Sequence, residues 1–370
     1  MARGEKAVLP PESYYSAQWL EQEQECVFRP NWLYGGTVSD LSGGNNWISR
    51  TYGSRSWIIT GSGTSLNCFR NVCSHRHSRI VTAERGCGPL RCGYHGWTYG
   101  NDGIPTGLPG QRENFDLSTE ERAGLRLPQG EAVSIGNFVF FRDVQPEGGK
   151  KRDLCDAARS LLLNLSLTFS TPFQSSSQIW RANWKAGVEN TLEPYHAGFV
   201  HAESLAQVIE TSVSDKTLSA RFSTLRHKLK AKSISWWKQM SSLSGITPST
   251  CMEDYQHFFI YPNICIGVTF GILLSIQTFT PVSPEMLAID SFLFLPSMDE
   301  ETTTAAVYCS LKDFLSDFNR QILEEDRIPV ESCQAGFRDA VRHGILGESE
   351  DRVGFFQRSI MNDISGNSPC

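Results

Sequence analysis

The chain has 370 residues, of which 40% are hydrophobic and 20% charged, an ordinary composition for a globular protein and enough length for two cores. A formal charge of −6 and a pI near 5.8 argue against nucleic-acid binding, since no basic stripe is available to displace phosphate counterions. Eleven cysteines, an odd number without a repeating frame, read as reduced thiols, not as a disulfide scaffold, and so predict a cytoplasmic location.

In chain order, the first residues lack an apolar signal-peptide core and a Ser/Arg-rich transit composition, so no targeting peptide is expected. Residues 12–28 set Tyr14, Trp19, Leu20, Cys26, Val27 and Phe28 among Glu and Gln, which predicts a short surface helix ended by Pro30. Residues 1–35 are therefore read as a helical segment that packs on the larger domain. Short runs at 46–52, 56–61, 65–71 and 132–142, separated by Gly/Ser turns, predict strands and make 36–146 a β-rich domain.

The loop at 145–151 marks the boundary. From 147 to 370, helical runs near 155–165, 187–199 and 305–326 alternate with strands at 176–184 and 255–295, an α+β domain. The basic run 226–232 reads as a solvated helix or loop face. Residues 258–276 approach membrane-span length, but Pro262, Asn263, Gly267 and Gly271 interrupt them. Consecutive buried strands, and no membrane span, are expected.

Two short strings carry the first site. Cys73-Ser74-His75 and Cys92-Gly93-Tyr94-His95 each join one thiolate ligand to one imidazole ligand at loop-like spacing. A Rieske [2Fe–2S] centre takes two cysteines on one iron and two histidines on the other, so each string would serve both irons. A structural zinc with two thiolates and two imidazoles is the alternative, although such sites usually place like ligands together.

His196 and His201 carry the second. With a nearby carboxylate they suit the two-histidine, one-carboxylate set of a non-haem Fe(II), while spacing alone leaves structural histidines open. Five residues apart on a regular helix, they diverge by about 140°, so the helix must distort or end between them. Gly198 is the expected place.

Cys73-Ser74-His75-Arg76 and Cys92-Gly93-Tyr94-His95-Gly96-Trp97-Thr98-Tyr99, followed by Glu189-Asn190-Thr191-Leu192-Glu193-Pro194-Tyr195-His196 and His201, resemble the alpha subunits of the ring-hydroxylating oxygenase family. The resemblance implies an all-β Rieske domain joined to a helix-grip-like catalytic domain with an antiparallel sheet and a mononuclear iron. It implies Cys73, His75, Cys92 and His95 as cluster ligands and Trp97 packed beside the cluster. His77 stands where the family more often has a small residue.

The same resemblance implies His196, His201 and Asp326 as iron ligands, with Glu325 the nearest rival to Asp326 and an acidic surface run the bland reading of both. Glu193 matches a carboxylate that bridges a cluster histidine of one subunit to an iron-bound histidine of the next, with Asn190 in its surroundings. That wiring implies a homotrimer or a multiple of it. Many aromatic-ring dioxygenases have aspartate at this position and oxygenases of choline, carnitine and related quaternary amines commonly have glutamate, so Glu193 tilts the substrate towards a quaternary amine.

No dinucleotide fingerprint and no plant-type ferredoxin cysteine set is visible, so electrons from NAD(P)H should arrive through a separate flavin/iron–sulfur reductase. The expected reaction uses O2 to hydroxylate or oxidatively demethylate a small organic substrate. The alternatives are an aromatic-ring or secondary-metabolite hydroxylase and, from another class, an electron-transfer or zinc protein. Phe199, Leu205, Trp236, Trp237, Phe259, Phe270 and Leu274 are candidate pocket walls, each better read as core or lid packing, and 233–250 is a candidate lid.

Overall fold

The structure, a computed structural model, describes residues 5–62, 65–144, 151–246, 253–296 and 305–366. Two compact units emerge: Phe28–Asp153, and Met1–Val27 together with Leu154–Cys370.

In the smaller unit the strands are β1 (Leu33–Thr37), β2 (Asn46–Tyr52), β3 (Arg55–Ser62), β4 (Ser65–Arg70), β5 (Arg85–Cys87), β6 (Leu90–Arg91), β7 (Thr98–Tyr99), β8 (Pro105–Gly107), β9 (Gln129–Ile135) and β10 (Phe138–Asp143). Seven of them form an antiparallel sheet in the order β1-β10-β9-β4-β3-β2-β5, and β6-β7-β8 form a separate ribbon. Residues 33–35, expected in the N-terminal helical segment, are sheet because β1 pairs with β10. The single strand expected at 132–142 is a hairpin: Ile135 pairs with Phe138 across Gly136, whose φ of +57° suits a two-residue turn. Trp47, Ile58, Phe69, Leu90, Trp97, Tyr99 and Leu127 make one core, and Cys73 and Cys92 lie inside it.

The larger unit is built on strands β11 (Pro172–Trp180), β12 (Ile209–Ser219), β13 (Phe222–Leu229), β14 (Asp254–Ile260), β15 (Ile264–Thr269), β16 (Leu273–Ser283) and β17 (Met286–Phe294). They form one antiparallel sheet in the order β11-β17-β16-β15-β14-β13-β12. Residues 258–276 are thus strand and turn, and no helix among the described residues is long and apolar enough to cross a membrane. The run 226–232 lies mostly on β13, where Arg226 and Lys228 reach Asp254 of the neighbouring strand.

The helices of this unit include α1 (Ala17–Glu23), α2 (Asp156–Ser166), α3 (Trp184–Leu192), α4 (Ala197–Val200), α5 (Ala231–Ser244), α6 (Ala305–Phe337) and α7 (Asp351–Ile364), with a further single turn at Leu205–Val208. Helix α3 approaches the sheet at Gly187, where an added Cβ would come within 2.8 Å of the Phe279 ring on β16. Helix α6 runs past the expected end at 326 and through Pro329, which lacks the N–H that would bond the Glu325 carbonyl. Of the candidate lid, 233–244 is helical and anchored by Trp237, stacked 3.9 Å from Phe270; 247–250 lies outside the described residues.

The helix expected on the surface at 12–28 is a short 3-10 turn, α1 and a π-helical turn at Gln24–Phe28 that ends before Pro30, and it is partly buried. Glu23 and Lys185 are both fully enclosed, 2.6 Å apart, with Trp184 Nε1 donating to Glu23 and Lys185 Nζ donating to the Ser13 carbonyl. Burial lowers the Lys185 ammonium below its ordinary range, and Glu23 offsets part of that shift. Lys185→Met strands the Glu23 carboxylate, so it should cost about 3–5 kcal/mol in a denaturant titration. Adding Glu23→Gln should recover most of that loss, since the amide oxygen still accepts from Trp184.

Candidate functional site

In the smaller unit two loops carry the cysteine–histidine strings. The first leaves β4, and Asn71 pins its far end: the side chain accepts from the N–H groups of Ile80 and Val81 and donates to the Val81 carbonyl at 2.8 Å. The second links β6 to β7. Both close in the same way, with His77 N–H donating to the Cys73 carbonyl and Gly96 N–H to the Cys92 carbonyl. Those closing residues have φ of +60° and +76°, a left-handed conformation that favours a small residue; His77 adopts it with its side chain exposed.

Cys73 and Cys92 are buried in the core, while His75 is half-buried and His95 exposed. The imidazoles of His75 and His95 stand 4.6 Å apart, and Trp97 stacks on His75 at 4.9 Å with 7° between the planes. Tyr99 O–H donates to Cys73 Sγ at 3.0 Å. The donor set suits a metal centre. His75 Nδ1 is enclosed with no hydrogen-bond partner among the described residues.

In the larger unit three ligand-type atoms do converge. His196, His201 and one Asp326 oxygen lie within 4.8 Å of one another, with His201 Nε2 3.0 Å and His196 Nε2 3.5 Å from Asp326 Oδ1. Local sequence explains the geometry. Glu193 precedes Pro194, which disfavours helical backbone at residue 193, so α3 ends at Leu192 and Glu193 is extended at φ −119°, ψ 142°. The break therefore falls at Glu193-Pro194 and not at Gly198, which lies inside the one-turn α4; His196 and His201 flank that turn.

Each histidine is oriented by a carboxylate on its far nitrogen. Glu193 Oε1 is 2.6 Å from His196 Nδ1, and its other oxygen accepts from the backbone N–H groups of Tyr195 and His196. Glu325 Oε2 is 2.8 Å from His201 Nδ1 and also accepts from Ser204. Both Nε2 atoms are thereby turned towards Asp326, an arrangement that fixes tautomer and ring direction for a metal. Glu324 instead pairs with Arg327 on the outer face of α6.

Asp326 Oδ1 is buried with no hydrogen-bond partner among the described residues, an acceptor aimed at two imidazoles and fitted to a cation. Burial opposes its charge, but His196 and His201 hold the carboxyl at about 2. Burial likewise opposes the His196 cation, and Asp326 and Glu193 overcome it to raise that group to about 9.

The triad opens on a cavity of about 100 Å³, several times what one water needs on the same measure. Asn190, Thr191, Glu193 and Leu205 line it on one side, and Leu225, His227, Tyr255, His257 and Gln277 on the sheet side. Of the candidate walls, Leu205 alone is in this lining. Trp237, Phe259, Phe270 and Leu274 are core, and Phe199 and Trp236 are exposed. Among the described residues Tyr255 is the one aromatic lining residue besides the histidines, so they form no aromatic cage around the site.

Residues 31–126 match the Rieske [2Fe-2S] domain and residues 167–366 match the ring hydroxylating alpha subunit (catalytic domain). The chain belongs to the ring-hydroxylating alpha-subunit family of Rieske oxygenases. It is thus an oxidoreductase of a family that works with a Rieske [2Fe–2S] cluster, a mononuclear iron and electrons from NAD(P)H through a reductase. It is 26% identical over 381 residues to the carnitine monooxygenase oxygenase subunit of Acinetobacter pittii (strain PHEA-2), covering 95% of this chain and 93% of that one. It is 28% identical over 235 residues to the glycine betaine monooxygenase oxygenase subunit of Chromohalobacter salexigens, covering 62% and 51% of the two chains. A quaternary ammonium Rieske monooxygenase, solved in connection with carnitine oxidation by gut microbiota and inter-subunit electron transfer, shares the fold at a TM-score of 0.78 and 19% identity, covering 98% and 96% of the two chains.

Sequence reasoning took Glu325 only as a rival ligand and missed its hold on His201. It also passed over His227, His257 and Arg352. A period-two signal was present in Leu225-x-His227 and Tyr255-x-His257, which puts all four side chains on one sheet face, but no local signal tied that face to the triad.

Proposed function

We propose that this chain is the oxygenase component of a two-component Rieske system that hydroxylates or oxidatively demethylates a small quaternary amine. The observation that carries the reading is the buried, unbonded Asp326 oxygen facing His196 and His201 beside a confined cavity. Glutamate at position 193 and the similarity to carnitine and glycine betaine oxygenase subunits support the substrate class.

In this reading Cys73, His75, Cys92 and His95 hold the [2Fe–2S] cluster, with Trp97 against His75, and His196, His201 and Asp326 hold the iron. When bound, the cluster supplies single electrons and the iron supplies open positions at which O2 is activated. Glu193 and Glu325 keep both imidazoles directed at the iron position. The cavity walls place one C–H bond of the substrate beside that position and limit water. Asn190 lines the cavity next to Glu193.

Glu193 serves a second purpose: its carboxylate joins His196 to a cluster histidine of a neighbouring subunit, which requires a ring of subunits such as a trimer. The electron donor is a separate flavin/iron–sulfur reductase, and the lack of a disulfide among the nine described cysteines suits the reducing cytoplasm.

The test is metal analysis with oxygen uptake. Two cluster irons and one further iron per chain are expected, with reductase-dependent uptake on at least one quaternary amine in a panel that also holds aromatic acids. Zinc alone, or cluster iron alone in metal-replete protein, would overturn the oxygenase reading; uptake on aromatic acids only would replace the substrate class.

A further inference from the structure

The cavity wall opposite the triad is a polar face whose hydrogen-bonding sense is set by the protein. His227 and His257 sit diagonally on β13 and β14, since His227 pairs with Tyr255 and His257 with Leu225. Arg352 of α7 is fully enclosed. Its guanidinium donates to Ser223 Oγ at 3.0 Å and to the Leu192 carbonyl at 3.3 Å, and its Nη2 lies 3.0 Å from His257 Nδ1.

Arginine can only donate, so His257 Nδ1 must accept and the ring proton must reside on Nε2. The reverse holds for His227. Its Nδ1 lies 3.1 and 3.2 Å from the carbonyl oxygens of Glu210 and Ser212, which can only accept, so Nδ1 carries the proton and Nε2 is the acceptor. Burial disfavours the charged form of both rings, and Arg352 adds to this at His257. Neither Nε2 has a hydrogen-bond partner among the described residues, and both rings line the cavity.

Arg352 has no carboxylate within ion-pair distance among the described residues, which leaves a buried positive charge one imidazole behind the cavity wall. Burial lowers the guanidinium only to about 10, so it stays charged. Tyr255, whose phenol burial keeps protonated, adds a hydroxyl to the same wall. A second hollow of about 80 Å³ shares Leu205, Tyr255, His257, Gln277 and Ile322 with the first, so His257 stands where the two meet.

We propose that this face selects acid-bearing substrates: His257 Nε2–H, held as the donor by Arg352, binds a carboxylate of the substrate, while His227 Nε2 accepts from a hydroxyl or N–H group of the same molecule. The proposal rests on the oxygenase reading of this cavity and narrows it to small molecules that carry a carboxylate away from the oxidised carbon. His257 is the specificity residue and Arg352 is a positioning residue that acts through it.

The test compares each acid with its primary amide, glycine betaine in one pair and benzoate in the other, by equilibrium binding to the iron-loaded holoenzyme. At least one acid should bind about 10–100-fold more tightly than its amide, the range of a charge-assisted hydrogen bond. His257→Asn keeps an oxygen where Nδ1 accepts from Arg352 but withdraws the Nε2 donor, so it should erase that preference without loss of iron. His257→Gln restores an N–H near the Nε2 position and should recover part of it. A preference in the benzoate pair alone supports this inference and rejects the quaternary-amine reading. No acid bound more tightly than its amide, or a preference unchanged in His257→Asn, overturns it.

Discussion

Asp326→Ala protein is expected to retain its cluster iron, lose the mononuclear iron and lose substrate-dependent oxygen uptake. The substitution removes the one carboxylate oxygen that faces both His196 and His201, while Glu193 and Glu325 still orient the rings. Two imidazoles alone make a weak site for Fe(II), so the affinity loss should exceed the ~10–100-fold typical of removing an outer-shell partner. Glu325→Ala supplies that comparison: it frees His201 to turn but leaves three ligands. If Asp326→Ala keeps its iron and Glu325→Ala does not, the ligand assignment must be exchanged.

The same site predicts proton release. In metal-free protein His196 is raised above its ordinary value to about 9, so the stabilisation it contributes is complete below about pH 6.5 and is lost as pH rises through about 9. A metal needs the neutral ring and so competes with that proton near pH 7. Iron binding by the metal-free protein should release about one proton or more, seen as a buffer-dependent binding heat, and release should fall towards pH 9.

Glu193→Gln should keep both metals and lose about 10–100-fold in reductase-driven turnover. The amide can still accept from the N–H groups of Tyr195 and His196, so the local turn is preserved. What disappears is the negative charge against His196 Nδ1 and the acceptor proposed for a cluster histidine of the neighbouring subunit. Reduced cluster should therefore reoxidise slowly in the presence of substrate and O2, which its visible spectrum reports. Turnover equal to the native protein would exclude an essential carboxylate at this position.

Much of this was readable along the chain because it is local. A cysteine and a histidine two or three residues apart in a tight loop declare ligands without any knowledge of the fold. Pro194 was an equally local signal, and attention to Gly198 missed it: proline restricts the residue before it, and that restriction moves Glu193 out of the helix and brings its carboxylate back to His196. The hairpin within 129–143 was missed for a related reason, since its apolar alternation runs straight through the turn.

The aromatic walls failed because hydrophobicity does not say which side of a sheet or helix a ring occupies. Trp237 and Phe270 satisfy one another in the core, and the cavity is lined instead by histidines, Tyr255, Gln277 and Asn190. Residue types and short spacings, with the family resemblance they carry, pointed to the family, the cluster strings and His196 and His201. Only the tertiary structure separated Glu324, Glu325 and Asp326: adjacent residues on one helix diverge by about 100°, so Glu324 meets Arg327 outside, Glu325 reaches His201 Nδ1 and Asp326 faces both Nε2 atoms. It also decided that Arg352, far along the chain, sets the proton on His257, because burial brings a guanidinium and an imidazole together and leaves the ring one hydrogen-bonding sense.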